Sequence, residues 1–120
     1  MKALWATGLA AGLLASACMA QEVESASGAM LRGLDKITGT TTDIELERGA
    51  STRFGRLVVT LADCRYPAGD PASNAFAQLS IADAVSGDVV FDGWMIASSP
   101  ALSAMDDARY DVWVLRCKSS

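Results

Sequence analysis

The chain has 120 residues, 51% of them hydrophobic, with 10 lysines and arginines against 14 acids and no histidine. That length holds one small domain, not two, and the acidic balance excludes both the basic footprint nucleic acid requires and attraction to anionic lipid. Without histidine, no Ser–His–Asp or Cys–His catalytic set can form.

The first 20 residues read as a secretory signal peptide. Lys2 supplies the positive start, residues 3–17 carry no charge, and small residues lead to Ala20 just ahead of Glu22, the first acid. The apolar run is shorter than the roughly 20 residues a membrane-spanning helix needs. Cleavage after Ala20 is the expectation. An alternative uses Cys18: Ala15, Ser16, Ala17 and Cys18 form a loose lipoprotein-type sequence, and a lipid on Cys18 would tether the protein to a membrane. Removal of residues 1–20 leaves nine bases against 14 acids, a net charge of −5 that keeps the domain soluble.

Residues 21–28 are small and polar and read as a flexible lead-in; residues 29–118 form the domain. Residues 29–37 carry a weak signal, strand or helical turn. Residues 38–42 turn into a strand in which Ile44 and Leu46 alternate with acids. Residues 48–50 turn the chain. Residues 56–64 are the strongest strand signal, with Leu57, Val59 and Leu61 on one side and Val58, Thr60 and Ala62 on the other. Apolar content on both sides predicts a strand covered on both faces. Residues 66–71, with two prolines and a glycine, read as a loop.

Residues 75–85 alternate Phe76, Gln78 and Ser80 against Ala77, Leu79 and Ile81, and pair as a hairpin with a strand over residues 88–97. Pro100 opens one helical turn, with Ser98 or Ser99 as its cap. The last strand, residues 110–117, sets Val112, Val114 and Arg116 against Trp113, Leu115 and Cys117. The fold class expected is all-β: a small antiparallel sandwich or barrel with one short helical turn.

Two cysteines remain after cleavage, Cys64 and Cys117, each at a strand end. In a small exported domain they read as a disulfide; the competing reading is two buried free thiols. Two thiols do not make a zinc site, and no calcium-loop spacing or phosphate-cradling glycine loop is present, so neither metal nor cofactor is expected. Asp88, Asp92, Asp106 and Asp107 are the only acids to weigh for glycoside hydrolysis, against the simpler role of solvated turn acids.

The most distinctive stretch is residues 93–103. Trp94 and Met95 precede Ser98, Ser99, Pro100 and Leu102, and Tyr110 and Trp113 follow. Two readings compete: an exposed aromatic anchor for a protein partner, or tryptophans that fill a small core.

Five blocks match a known family in order. They are Leu34 to Gly39 (Leu-Asp-Lys-Ile-Thr-Gly), Arg53 to Leu57 (Arg-Phe-Gly-Arg-Leu), Cys64 with Arg65, the Gly93-Trp94-Met95 and Ser98-Ser99-Pro100 pair, and Tyr110 to Leu115 with Cys117. The chain resembles domain of unknown function 2155, a family of uncharacterised exported proteobacterial proteins, over about residues 30–118. The resemblance implies a periplasmic domain with both cysteines paired and no assigned activity. Through the genes that neighbour the family, it also implies an accessory or assembly role on the periplasmic side of respiratory complex I. The chain departs from the family where Asp107 and Ala108 replace a His-Pro pair, so no role of that histidine carries over. The function expected is thus a non-enzymatic periplasmic binding protein. The alternatives are a small carbohydrate-binding or hydrolytic domain and an envelope protein anchored through Cys18.

Overall fold

The computed structural model describes residues 22–118. The signal-peptide and Cys18 expectations lie outside the described residues. Eight strands make up two antiparallel sheets: β1 (Val23–Ser25), β2 (Gly28–Asp35), β3 (Thr40–Glu47), β4 (Ser51–Phe54), β5 (Leu57–Pro67), β6 (Phe76–Asp83), β7 (Val89–Ile96) and β8 (Tyr110–Lys118). A 3-10 turn, Pro100–Ser103, interrupts the β7–β8 connection.

The first sheet runs β1-β5-β6-β7, and β4 also pairs with β5. Since β6 holds one edge of β5, β1 and β4 share the other, β4 against residues 57–60 and β1 against 65–67. The second sheet runs β3-β2-β8.

One corner joins the sheets. Ala26 donates its N–H to the Cys64 carbonyl (2.7 Å) as the chain passes from β1 to β2, and Gly49 donates to the Leu61 carbonyl (2.7 Å) as it passes from β3 to β4. Gly49 has φ +87° there, a left-handed value that a side chain would resist. At Gly28, beside the same corner, a Cβ would run into the Leu46 carbonyl. On the opposite side β7 and β8 are left as edge strands.

The core follows from period-two alternation. Leu57, Val59, Leu61, Leu79, Ile81 and Val114 are each at most 1% exposed. Ile44 and Leu46 are buried as the alternation predicts.

The structure differs from the sequence expectations in four places. The expected lead-in contains β1, whose three residues pair with Arg65, Tyr66 and Pro67 of β5. Those same residues extend β5 through Tyr66 and Pro67, into the expected loop; Pro67 is tolerated because it sits at the strand's last position. β4 had no apolar alternation to reveal it and forms by pairing with β5 across the tight Phe54–Leu57 turn. Finally, β5 is not covered on both faces: Val58 and Thr60 are half-buried by neighbours in the sheet, and Ala62 is exposed.

Three bulges interrupt the ladders, and two of them decide the cysteines. In β5, Leu61 faces Leu79 and Asp63 faces Gln78, so Ala62 is an extra residue. In β8, Val114 faces Leu31 and Arg116 faces Met30, so Leu115 is extra. Strict alternation places Cys64 with Val58 and Thr60, and Cys117 with Trp113, both on outer faces. One added residue just ahead of each cysteine reverses the side-chain phase. Cys64 and Cys117 therefore turn inward, with 0% and 6% exposure, and pair in a disulfide with Cα atoms 5.8 Å apart. The bond ties the centre of the first sheet to the edge of the second.

Candidate functional surface

Alternation along β7 sends Met95 inward (2% exposed) and Trp94 outward (36% exposed). Trp94 stands on the outer face of the first sheet, opposite Gln78 of β6. On β5, Arg65 pairs with Phe76 of β6, and both point out on the same face. The Arg65 guanidinium lies 5.1 Å from the Trp94 ring centroid, a cation–π contact. Val23, Arg65, Phe76 and Trp94 line a shallow depression of about 230 Å³.

Arg65 is held from beneath. Its Nε donates to Asp63 Oδ2 (2.8 Å), while Asp63 Oδ1 is buried without a hydrogen bond, 3.9 Å from Arg48 Nη1. Asp63 thus fixes the arginine that stacks on Trp94, and it occupies the position just after the β5 bulge.

The other residues of the expected interaction surface do not join this face. Met95 and Tyr110 (7% exposed) belong to the core, because their strand parity is inward. Ser98 accepts a hydrogen bond on Oγ from Asn74 Nδ2 (3.0 Å) and donates its N–H to Asn74 Oδ1 (3.1 Å), which closes a loop. Ser99 precedes the 3-10 turn but makes no side-chain cap; its N–H donates to the Ile96 carbonyl (3.1 Å). Pro100 does occupy the first turn, and Leu102, 74% exposed, projects from it. Trp113 is half-buried and packs against the core; with Pro100 it lines a separate concavity of about 400 Å³ along β8. So the two tryptophans part company, and neither fills the interior.

Sequence reasoning missed Val23, Arg65 and Phe76. A signal for Phe76 was present: in β6 the small Ala77 shares the buried face with Leu79 and Ile81, which leaves the phenyl ring outside.

A second cluster lies at the end of the sandwich where β2, β3, β4 and β8 meet. Phe54 packs on Gly33, where a Cβ would come within 2.6 Å of the ring. Phe54 also meets Tyr110 edge-on with centroids 5.4 Å apart. Arg109 lies over the Tyr110 ring at 5.2 Å and pairs with Asp35 through Nη2–Oδ2 (2.8 Å). Asp35 Oδ1 also accepts the Ile37 and Thr38 N–H groups. The Arg109 hydrogen bonds and these backbone donors hold the Asp35 carboxyl below its usual range. Asp35, Phe54, Gly55 and Tyr110, drawn from three of the blocks that carry the family resemblance, are thus brought together, and their contacts account for them structurally.

Of the acids weighed for hydrolysis, Asp107 Oδ2 accepts the N–H groups of Arg109 (2.9 Å) and Tyr110 (2.8 Å), which shapes a turn. Asp92 stands exposed on β7 opposite Ser80. Among the described residues no group of three or more acids or cysteines could hold a metal ion, and no helix is long and apolar enough to cross a membrane.

An uncharacterised protein of Rickettsia prowazekii (strain Madrid E) is 25% identical over 99 residues, covering 80% of this chain and 64% of that protein. The chain therefore spans less than two thirds of that relative's length. No solved structure matches. The model of a family described as uncharacterised protein conserved in bacteria (DUF2155) matches residues 29–117, which take in every strand from β3 to β7, both cysteines and Trp94, and the chain belongs to that family.

Proposed function

We propose that the protein is an exported, non-enzymatic binding module that docks a protein partner at the periplasmic side of a membrane complex. The observation that carries this reading is the outward Trp94. A tryptophan stacked under a fixed arginine, beside Phe76 and Val23, has the composition of a binding hot spot: aromatic and Arg anchors with little side-chain entropy left to lose. The disulfide supports an oxidising compartment, where such bonds persist. The acidic balance disfavours a direct landing on anionic lipid and favours a protein surface. Respiratory complex I is the partner to test first, since the family resemblance points to it.

The test is a tagged pull-down from membranes gently solubilised in detergent, run side by side with wild type and Trp94→Ala. Capture of complex I subunits in stoichiometric amount by wild type, lost with Trp94→Ala, is the expected outcome. Equal capture by both proteins, or no membrane subunit with either, overturns it. Intact mass of the mature protein separates the two export routes. A chain beginning at Gln21 is expected; an acylated N-terminal Cys18 would replace it with lipid anchoring.

A further inference from the structure

The free edge of β8 is an unusual one. It borders two concavities, about 400 Å³ beside Asp111, Val112 and Trp113 and about 470 Å³ beside Leu115, Arg116 and Lys118. Pro71 and Pro100 line them with β8, and among the described residues no strand pairs with this edge. From this edge we infer that β8 pairs antiparallel with β8 of a second copy of the chain, about a two-fold axis between Val114 and Leu115.

Register carries the inference. Along β8, Asp111 and Trp113 point to the outer face; after the extra Leu115, Arg116 and Lys118 do so. A regular strand laid on this edge falls out of phase by one residue at the bulge, which is one way natural edges refuse strangers. A second β8 carries the same extra residue. With the axis between Val114 and Leu115, Asp111 faces the partner's Lys118, Val112 faces the partner's Cys117, and Trp113 faces the partner's Arg116. Every facing pair then shares one side of the sheet, as antiparallel pairing demands. Leu115 aside, other axes also match phase over shorter stretches, but this one pairs the longest, residues 111–118, and of these it alone sets Asp111 against a base of the partner.

The charges agree with the register. The strand is acidic at its start and basic at its end, so reversal by the two-fold sets opposite charges together twice. Each Trp113 ring also meets an arginine, a favourable contact for a half-exposed indole. Lys118 reaches back across Gly28 of β2 to Glu45 (2.6 Å) and Glu47 (2.7 Å) of β3, so Asp111 of the second copy would share the ammonium group with these two glutamates from the opposite side of β8. The result would be one continuous six-stranded sheet with two of these chains, an isologous interface of the commonest kind.

Sedimentation of the mature, oxidised protein across a concentration series tests the pairing, using two charge-reversed variants. Asp111→Lys and Lys118→Asp each place like charges together twice. Each is expected to dimerise roughly thirtyfold more weakly than wild type, from two cross-strand pairs that each turn from attractive to repulsive. Mixed in equal amounts, the two variants restore opposite charges at both contacts, so a heterodimer should re-form at the wild-type strength. Circular dichroism and the thiol count confirm that each variant is folded and oxidised before it is used. Backbone amides of β8 should also exchange more slowly as concentration rises. A wild-type chain that remains monomeric at millimolar concentration overturns the inference, as does a dimer whose strength neither variant alters.

Discussion

At the scale of single residues, the Asp35–Arg109 pair and the Gly33–Phe54 contact make separable predictions. The Asp35 carboxyl is held below its ordinary range chiefly by Arg109. A depressed carboxyl contributes stability that is complete above the unfolded value of about 4 and is lost as pH falls through the folded value. Urea-unfolding midpoints should therefore be flat from about pH 5 to 8, where the absence of histidine leaves almost nothing to titrate. They should drop below about pH 4. In Asp35→Asn that acid limb should shrink without vanishing, because Asp43, Glu45 and Asp83 are also held low by their partners. An unchanged acid limb would show that the pair does not stabilise the fold. Gly33 answers to space rather than charge. Its missing side chain is the seat of the Phe54 ring, so Gly33→Ala must push that ring aside, and a loss of about 1–3 kcal/mol is expected. Adding Phe54→Leu to Gly33→Ala should recover part of the loss in the same urea titration; independent, additive losses would mean the two residues do not meet.

At the scale of elements, the bulges make a deletion within a strand less harmful than intuition suggests. Ala62 is the extra residue of β5 and is exposed. Its deletion leaves regular alternation with Leu61 and Cys64 still inward, so the disulfide should form and the loss should be about 1–2 kcal/mol. Deletion of Thr60, two residues earlier, also leaves Cys64 inward but turns Leu61 out and puts Ala62 in its place, so the disulfide should form while the loss rises to about 2–5 kcal/mol. If the two deletions cost the same, or if either leaves free thiols that a thiol-specific reagent counts, strand phase is not what sets the inward face of β5. The bond itself closes 53 residues, for which chain entropy gives about 4 kcal/mol, so Cys64→Ala with Cys117→Ala should lower stability by up to that amount. The same bulges mark where the sequence stopped being legible. The core faces of β3, of β6 and of residues 57–61 in β5 follow directly from alternation, since those stretches keep strict period two, and the hairpin of β6 with β7 follows from the turn between them. The pairing of Cys64 with Cys117 was read from composition, but the inward side of Cys117 was not, because the residue that reverses its phase, Leu115, looks like any strand leucine; only the opposing Met30 and Leu31 show that it is extra. β1 and β4 were equally hidden. They are short and polar, and their structure comes from the β5 edge they pair with rather than from their own composition. For the candidate surface, Trp94 was legible as a feature and its side of the sheet was not, while Arg65 reaches it only through a neighbouring strand.

At the scale of the whole molecule, the question is which exposed apolar groups are for binding and which are incidental. Ile37, Val85 and Leu102 are each more than 70% exposed, yet Ile37 and Val85 sit in turns between strands and Leu102 on the 3-10 turn. Single exposed apolar residues of that kind are ordinary in any soluble protein. Trp94 is less exposed than any of them, but it is the one set into a continuous face with Phe76, Val23 and a stacked arginine. Loss of a group there should separate binding from stability. Trp94→Ala removes a ring that stands on the outside of the sheet, so the urea midpoint should move by no more than about 1 kcal/mol, while partner capture should disappear. Met95→Ala, one residue further along β7, deletes a side chain only 2% exposed and should cost about 2–5 kcal/mol. Wherever Met95→Ala still folds, it should capture the partner as wild type does. Leu102→Ala should change neither property. If Trp94→Ala instead destabilises the protein as much as Met95→Ala and spares capture, the outer face of the first sheet is packing and not a docking surface.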